Sequence, residues 1–239
     1  MLANSFPDSI STGIPDFTHS VKLTGIYETT LLEAVPEFIH GLVAYPKTKS
    51  MNEDGFTQEY EAALNRVLFN NPKGVLVGRE YKDYSTLGAN PLKQVDIAFY
   101  PMEMWASKKA LYTVEAKRLP TGKGKRKKEY VSGLFSKSAS PSGGIQRFKT
   151  EDHGCGLSKS AMLGYVEEYD FSYWHNTINV WIADKAKELP AEWIEDERLQ
   201  NLIIDPTEIC SVCRSVANRK SDSIELFHLW IKIPKPHSS

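Results

Sequence analysis

Apolar residues recur along this chain with two different periods, and the change between them marks its elements. After Asn52 the positions Phe56, Tyr60, Ala63, Leu64, Val67 and Leu68 fall three and four apart, which predicts a helix with one apolar face running to about residue 70. An earlier helix is expected over about 28–44. The pattern then shortens, and strands are expected near 74–81, 94–100 and 110–119. In the second of these Val95, Ile97 and Phe99 alternate with Asp96. Farther on, Ala161-Met162-Leu163-Gly164-Tyr165-Val166 reads as helix-like and 177–183 as a buried strand. A helix is expected over 191–201, after Pro190. A last alternating strand over 223–233 carries Ile224, Leu226, His228, Trp230 and Lys232, either extending the sheet or forming a dimer contact. The order helix, three strands, helix, strand predicts an α/β fold.

Two of these strands carry charge where apolar residues belong. In Tyr112-Thr113-Val114-Glu115-Ala116-Lys117, alternation points Glu115 and Lys117 the same way, with attachment points about 6–7 Å apart, and Val114 and Ala116 the other. Asp96 opposes its apolar neighbours in the same manner, so adjacent strands could pair it with Glu115. Hard cations such as Mg²⁺ take oxygen ligands and are often held by one or two carboxylates plus a substrate phosphate. A structural salt bridge between Glu115 and Lys117 is the competing reading, although a charge set mid-strand is costly to bury without a purpose. Glu80-Tyr81-Lys82 repeats the spacing at the polar end of its strand, but no strand-borne Asp precedes it.

Together these residues resemble the PD-(D/E)XK nuclease superfamily, and the resemblance implies its restriction-endonuclease-like fold, a mixed central sheet flanked by helices that requires this order of elements. Asp96 matches the motif's Asp, Glu115 its second acid and Lys117 its lysine, while Val95 stands where a Pro is frequent. The resemblance covers about residues 50–185. Members often add a Glu from the preceding helix, and Glu53, in Asn52-Glu53-Asp54-Gly55-Phe56-Thr57, fits that place, with Glu59 and Glu61 as competitors. Glu53 also reads simply as an acid at a helix N-terminus. Members commonly carry a Gln, Lys or Arg on the element after the Glu-x-Lys strand, for which Gln146 is the candidate and Arg147 the alternative beside phosphate. The resemblance implies Mg²⁺-dependent hydrolysis of DNA phosphodiesters, with Mn²⁺ as a second option. Asp96, Glu115 and Glu53 would hold the ion, and Lys117 would position the attacking water. It also implies a place in restriction or antiviral defence, acting with a partner protein. A homodimer is plausible, since cutting both strands normally takes two sites. The alternative is a catalytically silent module of the same fold that binds nucleic acid or a partner.

From Lys117 onward the chain reads Lys117, Arg118, Lys123, Lys125, Arg126, Lys127 and Lys128, with no acid until Glu129. Net charge is only −1, so this is a local patch. It suits the backbone of a nucleic acid entering the site, and Gly122, Gly124 and the serines of 136–142 equally suit an exposed loop. With 239 residues, 41% of them hydrophobic, the chain is read as a single domain over 1–239. The first 20 residues lack the basic start and apolar stretch of a secretory signal and no run reaches the length of a membrane span, so a soluble, cytoplasmic protein is expected. Cys210-Ser211-Val212-Cys213, with His153 and Cys155, has the residue types of a zinc site, but the distant, irregular second pair argues against one. His175 is read as structural. Ser158 and Ser160 lack the context of an acyl-transfer nucleophile.

Overall fold

The computed structural model describes residues 25–44, 51–81, 94–102, 109–121, 127–133 and 142–235. Helices α1 (Ile26–Ala44) and α2 (Glu53–Asn70) precede strands β1 (Val75–Tyr81), β2 (Val95–Pro101) and β3 (Tyr112–Leu119). Then come α3 (Gly144–Lys149), β4 (Lys159–Val166), α4 (Phe171–Glu188), β5 (Gln200–Ile204), β6 (Cys210–Asn218) and β7 (Ser223–Lys232). The strands form one mixed sheet in the order β1-β2-β3-β4-β7-β6-β5, in which β3 and β7 both run parallel to β4 and the other pairs are antiparallel.

Two polar residues start long helices on opposite faces of the sheet. Asn52 Oδ1 accepts from Gly55 N at 2.9 Å and so satisfies one of the orphan donors at the start of α2. Asp170 does the same for α4, accepting from Tyr173 N at 2.6 Å. Helices α1 and α2 cover one sheet face, where Phe38, Phe56, Tyr60 and Leu64 pack on Val114, Ala116, Leu163 and Tyr165. Helices α3 and α4 cover the other, with Ile145, Phe148, Trp174, Ile178 and Trp181 against Leu119, Met162 and Trp230. Buried Glu28 ties α1 to the sheet by taking both ends of one guanidinium, Arg214 Nη2 at 2.7 Å and Nη1 at 3.2 Å.

The expected order of helix, three strands, helix and strand is present as α2, β1, β2, β3, α3 and β4, but different residues fill its second half. Residues 161–166, expected as helix, lie in β4, and 177–183, expected as strand, lie in α4. Strand β4 is covered on both faces, so it shows no apolar–polar alternation. In α4 the buried residues Phe171, Trp174, Ile178, Trp181 and Ile182 keep helical spacing, which a seven-residue window conceals, and Val180 is exposed. The helix expected over 191–201 is a single 3₁₀ turn, Glu195–Glu197, followed by β5. Strand β7 lies inside the sheet with β4 and β6 on its two edges, so it offers no edge to a second copy. Among the described residues no helix is long and apolar enough to cross a membrane.

His228, midway along β7, is fully buried between Tyr130 Oη at 2.9 Å from Nδ1 and Ser215 Oγ at 2.8 Å from Nε2. Tyr130 Oη also accepts from Trp230 Nε1 at 2.8 Å. Burial, with His175 adding to it, pushes the His228 ring down to about 3 from 6.5. The fold therefore holds the ring neutral. Its contribution is complete above the ordinary histidine range and is lost as pH falls from about 6.5 toward 3, because the unfolded chain takes up the proton first. Urea midpoints measured from about pH 7 to pH 4 should fall steeply in the wild type. The His228→Gln variant should be less stable at neutral pH and show a flatter pH dependence.

Candidate functional site

The site forms where β2 and β3 stop pairing. Their ladder runs Phe99↔Tyr112, Ala98↔Thr113 and Ile97↔Val114, and continuing it would set Asp96 against Glu115. There the Asp96 side chain takes the place of backbone pairing, and Oδ2 accepts from Ala116 N at 2.7 Å. Beyond this point β3 pairs on its other edge with β4, Glu115 beside Met162 and Lys117 beside Gly164. One edge of β3 is thus fixed while the other opens around two charged side chains.

The N-terminus of α2 closes that opening. Glu53, its first residue, accepts from Lys117 Nζ at 3.2 Å through Oε1 and from Arg118 N at 3.0 Å through Oε2. Glu53 is therefore the helix acid that reaches Lys117. Glu61 accepts from Asn65 instead, and the Glu59 carboxylate lies near Gly41 of α1. Lys117 Nζ lies 2.7 Å from Glu115 Oε1 and also donates to Ala116 O at 2.8 Å, so three protein oxygens surround the ammonium.

Glu115 has no exposed side-chain surface, yet it stays ionised. Burial alone would push its carboxyl up, but Lys117, His153 and Arg147 together hold it well below the usual range. Arg147 Nη1 donates to Oε1 at 2.6 Å, and His153 Nδ1 approaches Oε2 at 3.1 Å without the alignment of a finished hydrogen bond. Asp96 is shifted the other way. Burial and then the charge of Glu115 push its carboxyl well up, against the opposing pull of Lys117 and the Ala116 N–H. For Lys117 burial works against the charged form, but Glu115, Glu53 and Asp96 outweigh it and raise the ammonium above its ordinary value.

Of the other residues singled out by sequence, Gln146 does not join this cluster. Its Oε1 accepts from Gly133 N at 3.0 Å, tying α3 to the segment before it, and the neighbouring Arg147 reaches Glu115 instead. Arg118 points to the opposite face from Lys117 and is paired with Glu167, Nη2 to Oε2 at 2.6 Å. Lys128 pairs with Asp184 at 3.0 Å, and Lys127 is exposed. Lys123, Lys125 and Arg126 lie outside the described residues, as does Lys82. Cys210 and Cys213 sit three apart on β6 and enter opposite cores, so their thiols do not converge. Burial pushes the Cys210 thiol up to about 12 and the Cys213 thiol higher still. Cys155 is exposed.

His153 and Arg219 gave no periodic signal in the sequence. His153 sits on the connection from α3 to β4, and that connection is clasped by Arg219, which follows β6. The buried Arg219 guanidinium donates to Phe148 O at 2.9 Å, Gly154 O at 2.9 Å and Leu157 O at 3.1 Å. Arg219→Met should remove a donor from all three carbonyls, but Phe148 O keeps Glu151 N at 3.3 Å and Gly154 O keeps Leu157 N at 3.0 Å, so Leu157 O bears most of the loss, about 1–3 kcal/mol where it stays buried. Denaturant unfolding should show a loss of that order.

In this arrangement the acids converge on Lys117, and among the described residues no group of three His, Cys, Asp or Glu side chains forms a ready metal site. The chemistry of the donor set nevertheless fits a hard cation. It consists of carboxylates from α2, β2 and β3, three acids gathered beside the Lys117 and Arg147 cations. Compared with known protein families, curated proteins and solved structures, the chain has no match.

Proposed function

We propose that the chain is a metal-dependent phosphodiesterase acting on DNA. The observation that carries this reading is the meeting of Glu53, Asp96 and Glu115, from three separate elements, around the Lys117 ammonium at a break in strand pairing. It agrees with the residues that resemble the PD-(D/E)XK motif, and the helix–three strands–helix–strand order agrees with it too. Asp96 and Glu115 would hold Mg²⁺ or Mn²⁺, with Glu53 joining directly or through water. When bound, such an ion supplies Lewis-acid polarisation of a phosphoryl oxygen and a more acidic water.

The protein's own groups divide the remaining work. Lys117, kept protonated by its acids, acts through charge and hydrogen bonding and not as a general base. It orients the attacking water and stabilises charge growing on the phosphoryl oxygens. Arg147 holds Glu115 from the side of α3. The mid-strand setting of Glu115 and Lys117 keeps both on a rigid element.

A second reading rests on the enclosure of Lys117, whose ammonium is already surrounded by oxygens of Glu53, Glu115 and Ala116. A chain that keeps this arrangement on DNA would bind without cutting. Incubation of the purified protein with supercoiled, linear and single-stranded DNA, in Mg²⁺, Mn²⁺ or EDTA, separates the two. Metal-dependent cutting is expected; DNA binding with no cutting under any divalent ion would select the silent module.

A further inference from the structure

We infer that His153 is a positioning residue for Glu115, one that fixes the angle at which this carboxylate faces the reacting centre. The inference rests on the hydrolytic reading above. The His153 side chain has no exposed surface and meets the edge of Phe148 with ring centroids 5.8 Å apart, so it cannot touch a substrate itself. Its Nδ1 lies 3.1 Å from Glu115 Oε2. Glu115 Oε2 and both ring nitrogens are buried with no finished hydrogen bond, so each of the two facing atoms has the other as its nearest remedy. With a proton on Nδ1, a small rotation of the ring completes the bond. The two oxygens of Glu115 are then held separately. Oε1 faces Lys117 and Arg147, and Oε2 faces His153. A carboxylate restrained at only one oxygen can turn about its last bond; one restrained at both cannot.

The backbone around His153 is built to keep the ring there. His153 N donates to Arg147 O at 3.1 Å, linking the two residues that address Glu115. Gly154 follows in the left-handed region at φ +63°, where a Cβ would also lie 3.0 Å from Ser160 Oγ and 3.1 Å from Ile224 Cδ1. Arg219 then grips the carbonyls on both sides of the turn. Partners that orient a ligating group typically change metal affinity or activity about 10–100-fold when removed.

Two substitutions separate positioning from space-filling. In His153→Asn the amide nitrogen takes the place of Nδ1 and keeps a donor; in His153→Phe the ring volume is kept and the donor is lost. The full-length protein would be assayed for kcat and KM on DNA with Mg²⁺, and for Mn²⁺ affinity by calorimetry without DNA. His153→Phe should lose about 10–100-fold in kcat and in Mn²⁺ affinity with KM little changed, while His153→Asn keeps most of both. Wild-type behaviour of His153→Phe, or an equal fall in the two variants, overturns the inference and leaves the hydrolytic reading standing. A wild-type protein that neither cuts DNA nor binds Mn²⁺ overturns both. Should His153→Phe fail to fold, Gly154→Ala shifts the backbone that carries an intact ring. It should weaken Mn²⁺ binding, and unchanged affinity would overturn the inference.

Discussion

Glu115→Leu is expected to destabilise the fold by about 3–5 kcal/mol, the range for breaking a buried ion pair by removing one partner. Glu115 is completely buried and answers two cations, Lys117 at 2.7 Å and Arg147 at 2.6 Å, whose side chains are themselves only 7% and 17% exposed. With leucine in its place both charges stay in a largely dry setting. Lys117 keeps Glu53, but Arg147 loses the one salt bridge described for it. Urea unfolding at neutral pH gives the magnitude, and the double variant Glu115→Leu, Lys117→Met supplies the control. Because the two residues share one interaction, the double variant should cost clearly less than the sum of the singles. A strictly additive result would show that the pair contributes little and that the leucine acts through packing alone.

Lys117→Met should have the largest effect on chemistry. Removing one preorganised donor aimed at developing charge costs about 10²–10³-fold in kcat, and a loss at least that large is expected here with DNA affinity nearly intact. The same substitution removes the cation that Glu53, Asp96 and Glu115 share. Mn²⁺ should therefore raise the melting temperature of Lys117→Met by more than it raises that of the wild type. Thermal unfolding with and without the ion measures this directly, and an equal rise in both proteins would place the bound ion away from these carboxylates.

The parts of the molecule that could be read from sequence are those set by local periodicity. Alternation in β2 and β3 placed Asp96, Glu115 and Lys117 on their strands, and the apolar face of α2 placed Glu53 at its start. Which of three nearby acids reaches Lys117 was not legible, because that depends on how α2 approaches the sheet. Periodicity also failed where burial is two-sided. Strand β4 is buried on both faces and looks like any apolar run, and the buried stripe of α4 is interrupted by enough polar residues to pass for a short strand. Strand β6 was visible only as a cysteine motif. In the six-residue α3, one position separates Gln146, bonded to Gly133, from Arg147, bonded to Glu115. His153 lies beyond any such reasoning, since its place depends on a turn held by Arg219 from another part of the chain.

The order of strands in the sheet has a consequence for how the protein is made. The last strand among the described residues, β7, sits between β4 and β6, so neither of those can be fully paired on that side until residue 232 is available. While the chain emerges from the ribosome, β1 to β4 can assemble around the carboxylates and Lys117, but β4 presents a bare apolar edge to its surroundings, and the β5–β6 hairpin has nothing to join. Unpaired edges of this kind recruit strands from other chains. Nascent or C-terminally shortened forms should therefore depend on chaperones far more than the finished protein does, although every residue of the candidate site lies upstream of the missing strand.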